Sequence, residues 1–362
     1  DFCLSRGLGD VYKRQALVIP AYEPSGRLAA LLEELVLGWP GPIVVVDDGS
    51  SASCSVVFDR ARALGATVLV HGLNRGKGAA LKTAFSYLLE QVPTVAGAVT
   101  ADADGQHLPA DIRAVARELG LHQDSLVLGC RRFDGNGVPA RSKLGNNFML
   151  GAMRVLCGVD VSDTQTGLRG LPASLMRRML AVVRDGYEFE TEMLVLARRA
   201  GGIFEVPITT VYEGDNEASH FRPVVDSLRV LGVLFSAFAR YTLSSLCTSL
   251  LDWALFSALV LLWSHGVATS AAIVWATVVA RVVSAFVNYM LNRNIVFKAD
   301  NSSCSRSLCR YIALCAACML ASAALVLLIS VALPIPVFII KPFVDTALFF
   351  ANYRIQQSWV FE

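Results

Sequence analysis

Two aspartates stand two residues apart in Thr100-Ala101-Asp102-Ala103-Asp104-Gly105-Gln106-His107, directly after the apolar run Val95 to Val99. That run reads as a buried strand. The carboxylates then fall at its carboxyl end, the edge at which open α/β sheets take ligands. Two carboxylates this close repel unless a cation lies between them. The oxygen set of Asp102, Asp104 and the Gln106 amide suits Mg2+ or Mn2+ carrying a diphosphate. The competing reading is a polar loop that caps the next helix; the neighbouring motifs favour the metal.

Three further stretches carry chemistry. Ile43 to Val46 is a β-branched strand ending in Asp47-Asp48-Gly49-Ser50, whose carboxylates suit a ribose hydroxyl or a base N–H, or a helix N-cap. Asn74-Arg75-Gly76-Lys77-Gly78 is a glycine-rich loop leading into a helix, so its N–H groups and Lys77 could cradle phosphate. Its spacing is not that of a P-loop. Cationic groups follow in Arg131, and in Arg141 and Lys143 after Pro139. Asp163 to Arg169 is polar and broken by Gly167, and Glu188, Glu190 and Glu192 alternate, either along an extended run or over a helix start. Glu190 and Glu192 are candidates for acceptor or metal contact.

The elements that position these groups alternate. Ala16–Pro20, Ile43–Val46, Thr67–Val70, Val95–Val99 and Ser125–Leu128 read as strands. Leu28–Leu37, Val56–Leu64, Ala79–Leu89 and a segment after Pro109 read as helices. Short loops between them predict an α/β domain with a mostly parallel sheet covered on both faces.

Ile19-Pro20-Ala21-Tyr22, Val46-Asp47-Asp48-Gly49-Ser50, Asn74-Arg75-Gly76-Lys77-Gly78 and Asp102-Ala103-Asp104-Gly105-Gln106 come in the order seen in family 2 glycosyltransferases of the GT-A, Rossmann-like fold. The chain resembles the polyprenyl-phosphate sugar synthases of that family over residues 16 to 230. The resemblance implies a nucleotide-sugar donor held by Pro20, Tyr22, Glu23, Asp47, Asp48, Lys77, Asp102, Ala103 and Asp104. It implies Mg2+ or Mn2+ at Asp102, Asp104 and Gln106, and a polyprenyl phosphate met by Arg131, Arg141, Lys143 and Arg222. Asp104, Arg131, Arg141 and Lys143 are then the catalytic set. In one departure, many members carry a glutamate two residues after the tyrosine, where this chain has Pro24 and its glutamate is Glu23.

A phosphate acceptor explains why no Ser/His/Asp or Cys/His constellation is needed. Its oxygen is already anionic near neutral pH, so attack on an anomeric carbon proceeds without a general base. The metal would serve as Lewis acid and template, with inversion at the anomeric carbon expected.

The second half is of another kind. The chain is 54% hydrophobic with mean hydropathy +0.51, the apolar excess falling after residue 230, which excludes an ordinary soluble protein. A net charge of +2 gives no bulk attraction for nucleic acid. The nine cysteines show no disulfide spacing, consistent with reduced thiols in a cytosol-facing membrane protein. His220 to Arg240 reads as an amphipathic interfacial helix. Four apolar segments follow, 241–263, 267–291, 309–333 and 335–358, each long enough to cross ~30 Å of hydrocarbon. Arg293, Lys298, Arg306 and Arg310 sit in the middle loop. The positive-inside rule therefore puts the catalytic domain, that loop and both termini on the cytoplasmic side of the inner membrane.

Phe286-Val287-Asn288-Tyr289 leads to Ile295-Val296-Phe297, and Phe350-Ala351-Asn352-Tyr353 leads to Trp359-Val360-Phe361. The membrane half thus reads as a duplicated helix pair, and it resembles the GtrA-like four-helix domain. Asp252, Arg281, Lys341 and Asp345 lie inside the spans. Arg281 and Asp345 occupy equivalent places in the repeat, so they are expected to pair across the bundle, with Asp252 and Lys341 as candidate further partners.

The expected layout is 1–15 as an extension outside the fold, 16–218 as the GT-A domain, 219–240 as a juxtamembrane helix and 241–362 as a GtrA-like domain with four transmembrane helices. The expected activity is transfer of one hexose from a UDP- or GDP-sugar to undecaprenyl or dolichyl phosphate. The partners are the nucleotide sugar, the lipid phosphate and the bilayer, with a homo-oligomer left open. Two alternatives compete. A processive polysaccharide synthase is disfavoured by the lack of a Gln-x-x-Arg-Trp motif. A lipid-linked sugar translocase is disfavoured by the intact acidic motif.

Overall fold

The computed structural model describes residues 14–131, 149–209, 223–264, 270–297, 303–333 and 336–361. The chain divides into two compact units, Asp1–Val233 and Leu234–Glu362.

The first unit is a seven-stranded sheet. Its strands are β1 (Gln15–Ala21), β2 (Ile43–Asp47), β3 (Thr67–Val70), β4 (Gly97–Thr100), β5 (Leu126–Arg131), β6 (Arg169–Pro172) and β7 (Ile203–Ile208), in the order β3-β2-β1-β4-β6-β5-β7. Helices α1 (Arg27–Val36), α2 (Ser55–Ala63), α3 (Lys77–Gln91), α4 (Pro109–Leu121), α5 (Ala173–Met179) and α6 (Glu188–Ala200) connect and cover them. Leu17, Val18, Ile19, Val44, Val45 and Val46 are fully buried, as a sheet covered on both faces requires. On one face Leu17, Ile19 and Val45 pack with α1, α2 and α4 through Leu28, Leu32, Phe58, Ile112 and Val115. Helix α3 lies against β1, β2 and α5.

The α/β alternation, and all nine elements read in the first part of the chain, are present. The sheet is not simply parallel. β1 to β4 are parallel neighbours, but β6 runs antiparallel to both β4 and β5. This reversal places the start of β6 beside the carboxyl ends of its neighbours, with Arg169 opposite Thr100 and Leu128. Arg-Gly-Leu-Pro has no β-branched residue, so nothing local marks it as a strand. The glutamate run proves to be the start of α6, with Glu188 and Glu190 in the first turn, where carboxylates favour the helix dipole. Gln15, expected outside the fold, is the buried first residue of β1 and pairs with Gly97.

The second unit is helical. Helix α7 (Pro223–Ser264) begins in the last residues of the first unit, and α8 (Ser270–Leu291), α9 (Cys304–Ala332) and α10 (Val337–Ile355) follow. The expected juxtamembrane helix and first span are therefore one 42-residue helix, about 60 Å long. No proline lies between Val224 and Ser264 to break it. Among the described residues, three helical stretches are long and apolar enough to cross a membrane: Leu231–Trp263, Ser270–Val296 and Cys304–Ala332. Where a fourth span was expected, α10 is a 19-residue helix carrying Lys341 and Asp345, with Pro342 inside it.

Helices α8 and α10 each run into a π-turn, Asn292–Val296 and Gln356–Val360, at matching places in the repeat. Tyr241, Tyr289, Tyr311, Tyr353, Phe297 and Phe361 form an aromatic core around these ends. The expected pairing of Arg281 with Asp345 does not occur. Arg281 lies 3.4 Å from Asp252, and Lys341 lies 2.8 Å from Asp345 within one helix. Each acid also accepts a serine hydroxyl, Asp252 from Ser284 at 2.9 Å and Asp345 from Ser322 at 2.8 Å. Local partners are available to both charges, so neither has to seek the other across the unit.

Candidate functional site

The site forms where four loops meet at one edge of the sheet. Asp102 follows the end of β4, and Lys77 opens α3. The Lys77 ammonium lies 2.7 Å from Asp102 Oδ1 and 3.0 Å from Glu190 Oε1. On its other side Asp102 Oδ2 faces His107 Nε2 at 3.3 Å. Motifs separated by more than 100 residues thus share one charged cluster.

Local backbone geometry explains how Lys77 reaches it. Asp48 is buried, and its carboxylate accepts the N–H groups of Arg75 (3.0 Å) and Gly76 (2.7 Å) and faces His71 Nδ1 at 2.6 Å. His71 also meets the Thr83 hydroxyl on α3 at 2.9 Å. Gly76 has φ +100, and a Cβ there would stand 2.6 Å from the Asp185 carbonyl oxygen. Only glycine suits both demands. That carbonyl accepts Ala79 N–H at 3.1 Å, docking the loop before α6 onto the start of α3.

The acidic turn is built in the same way. Gly105 has φ +77, and Asp104 Oδ1 accepts the Gln106 N–H at 3.0 Å, leaving a part-exposed carboxylate on the turn beside the exposed Gln106. Gly167 lies so close to the Asp102 carboxylate that no side chain would fit between them. Thr100 Oγ1 donates to the Gly167 carbonyl at 2.8 Å. Behind it Arg169 is fully buried. It donates to the Thr166 carbonyl (2.8 Å) and the Glu190 carbonyl (2.6 Å).

The electrostatics follow from this packing. Burial alone would push Lys77 down, but the charges of Asp102 and Glu190 override it and hold the ammonium above its ordinary range. Burial alone would likewise raise Asp102; Lys77 first, then His107, hold its carboxyl well below the usual carboxylate range. Lys77 and Asp102 are therefore both charged at neutral pH.

The structure distributes the expected site residues unevenly. Lys77, Asp102 and Glu190 come together, and Ala103, Asp104 and Gln106 continue the same turn. Pro20 is the last residue but one of β1 and Tyr22 follows the strand, exposed; Asp47 ends β2, where its Oδ1 accepts Ser50 N–H at 2.8 Å. Asp48 is turned inward onto the Asn74–Gly78 loop. Glu23, at φ 49, gives Oε1 to Ser51 N–H (2.7 Å) and Oε2 to the Ser51 hydroxyl (2.9 Å) and the Cys54 thiol (3.2 Å). It ties the first motif to the second. Arg131 makes a two-pronged contact with the fully buried Asp163, Nε at 2.7 Å and Nη2 at 3.1 Å. Glu192 pairs instead with Arg184 at 2.8 Å. Arg141, Lys143 and Arg222 lie outside the described residues. Sequence reasoning missed the contact of His107 with Asp102, although the histidine stood inside the quoted stretch.

Among the described residues no three His, Cys, Asp or Glu side chains form a self-sufficient metal cage. Asp102, Asp104 and the Gln106 amide are hard oxygen donors on one turn, and an ammonium already sits against Asp102. Such a partial set fits Mg2+ or Mn2+, which bind through one or two carboxylates and take the rest of their ligands from water and phosphate.

This chain is a glycosyltransferase and belongs to glycosyl transferase family 2: that family's model matches residues 16–175, and the model of the GtrA/DPMS transmembrane domain matches residues 235–361. It is 32% identical over 201 residues to an uncharacterized protein of Methanocaldococcus jannaschii, covering 54% of this chain and 81% of that protein. It is 28% identical over 215 residues to the UDP-N-acetylglucosamine–dolichyl-phosphate N-acetylglucosaminyltransferase of Methanococcus voltae, covering 54% of this chain and 85% of that protein. The glucosyl-3-phosphoglycerate synthase structure from Mycobacterium tuberculosis shares the fold, with TM-score 0.50, 21% identity, and coverage of 63% of this chain and 83% of that one.

Proposed function

We propose that this chain transfers a single hexose from a nucleotide sugar to a polyprenyl phosphate at the cytoplasmic face of a membrane. The observation that carries the reading is the Lys77–Asp102–Glu190 cluster at the sheet edge, in a chain that continues into apolar helices of membrane-spanning length. The donor's nucleoside would lie over Tyr22 and Asp47. Its diphosphate would lie against the Gly76–Gly78 loop, where Lys77 offsets the negative charge of the leaving group. An oxygen of the lipid phosphate attacks the anomeric carbon from the opposite side. The bond to the nucleoside diphosphate breaks, its electron pair stays on the departing phosphate, and the anomeric configuration inverts.

Asp102, Asp104 and Gln106 would hold the divalent ion, which when bound supplies Lewis acidity to the leaving diphosphate. Arg141, Lys143 and Arg222 are assigned to the lipid phosphate on charge and position in the sequence. Arg131 acts from its place on Asp163. The membrane half, read as four crossing helices with α10 as the fourth, would keep the lipid tail and both chain termini at the inner leaflet. The Methanococcus relative makes UDP-N-acetylglucosamine and dolichyl phosphate the first pair to try, with UDP-glucose, GDP-mannose and undecaprenyl phosphate beside them.

The test uses the full chain in detergent with radiolabelled nucleotide sugars, polyprenyl phosphate and Mn2+. A chloroform-soluble, singly glycosylated lipid is expected. A water-insoluble polymer, or no transfer from any UDP- or GDP-sugar, would overturn the reading.

A further inference from the structure

We infer that Glu190 is a positioning residue for the nucleoside diphosphate and that it acts through Lys77. The inference rests on the donor reading above and deepens it. Lys77 has two carboxylate partners, not one: Asp102 Oδ1 at 2.7 Å and Glu190 Oε1 at 3.0 Å. Asp102 belongs to the acidic turn assigned to the divalent ion. A divalent cation held there would repel the ammonium and weaken its contact with Asp102. Without a second anchor the long lysine side chain would swing to solvent and lose its aim. Glu190 supplies that anchor from the first turn of α6.

The anchor is itself rigid. The Glu190 carbonyl accepts Arg169 Nη1 at 2.6 Å, Arg169 is fully buried, and the Glu190 side chain is buried too. The loop before α6 is docked onto α3 through the Asp185 carbonyl and Ala79 N–H, so the two ends of the Lys77–Glu190 contact move together. Glu192, by contrast, faces Arg184.

A carboxylate beside an anion-binding site has a direct effect and an indirect one, and they differ in sign. Directly, Glu190 repels a diphosphate, so neutralising it should tighten binding. Indirectly, it aims Lys77, so neutralising it should loosen binding. Calorimetry with UDP and GDP in Mg2+ on the full chain in detergent separates the two, comparing Glu190→Gln in the native and Lys77→Met backgrounds. Gln keeps the size of the side chain and leaves the Arg169 bond to the backbone carbonyl in place, and the 3.9 Å side-chain ion pair with Arg169 is lost equally in both backgrounds.

In the native background Glu190→Gln is expected to weaken binding of whichever nucleotide binds by about fivefold or more, and in the Lys77→Met background to leave it unchanged or tighten it. Equal weakening in both backgrounds would show that Glu190 acts without Lys77 and would overturn the inference. Unchanged or tighter binding in the native background would overturn it as well. Failure of the unaltered protein to bind either nucleotide would instead remove the donor reading, and this inference with it.

Discussion

The side-chain amide of Asn292 donates to Gln356 Oε1 at 3.0 Å, and the two residues, 64 apart, hold the same position in the duplicated helix pair. Each opens the π-turn that ends its repeat. Both are buried, beside the aromatic core of the helical unit. The Asn292 amide N–H meets the Gln356 oxygen only while both halves keep register, so the pair acts as a registration point between the repeats.

Removing one member should cost more than removing both. Asn292→Leu leaves the Gln356 oxygen without this donor and is expected to destabilise the helical unit by about 1–3 kcal/mol. The double variant Asn292→Leu/Gln356→Leu is expected to recover a large part of that loss. Thermal denaturation in detergent reads both, and a double variant less stable than the single one would refute the registration role.

Asp104→Asn tests the acidic turn. The amide oxygen still accepts the Gln106 N–H, so the turn is expected to survive. The charge that would hold a divalent ion is lost, and transfer is expected to fall by about 100-fold or more. Unchanged circular dichroism with lost product formation is the expected pair of results. Full activity in excess chelator would count against a metal.

The Lys77–Asp102 pair gives a pH signature. Asp102 is held below its ordinary range by Lys77 and His107, and Lys77 above its own by Asp102 and Glu190. The depressed carboxyl contributes stability that is full above its unfolded value of about 4 and is lost as pH falls toward the folded value beneath it. The raised ammonium contributes stability that is full below about 10.4 and is lost as pH rises through the folded value above it. The melting-temperature difference between the native chain and Lys77→Met is therefore expected to be flat from about pH 5 to 9 and to shrink on the acid side below about 4. A difference that varies through neutrality would contradict the assignment.

In the helical unit the partner of Arg281 is Asp252, at 3.4 Å. Exchanging the two, as Asp252→Arg with Arg281→Asp, is expected to keep the protein folded and extractable as a single species, whereas either single change to Ala lowers its yield. The same exchange between Arg281 and Asp345 is expected to fail, because Asp345 is engaged by Lys341. Size-exclusion profiles in detergent distinguish the two swaps.

Much of this protein is legible in the chain alone. Apolar runs ending in Asp47-Asp48 and in Asp102-Ala103-Asp104 mark strand ends, since a buried strand must stop where charge begins. The glycines around Lys77 mark a loop that needs backbone freedom. Long apolar segments after residue 230 mark helices for a bilayer, because hydrocarbon tolerates no unpaired backbone. These signals are local, written in period, length and turn chemistry. The antiparallel placement of β6, the inward turn of Asp48 toward Arg75, Gly76 and His71, the tie of Arg131 to Asp163 and the choice of Asp252 over Asp345 by Arg281 are not local. Each depends on which distant backbone comes near, and a charged side chain takes whichever buried partner lies within reach. Sequence alone could place Lys77, Asp102 and Glu190 on three separate motifs; only the packing of α3, β4 and α6 brought the one ammonium between the two carboxylates.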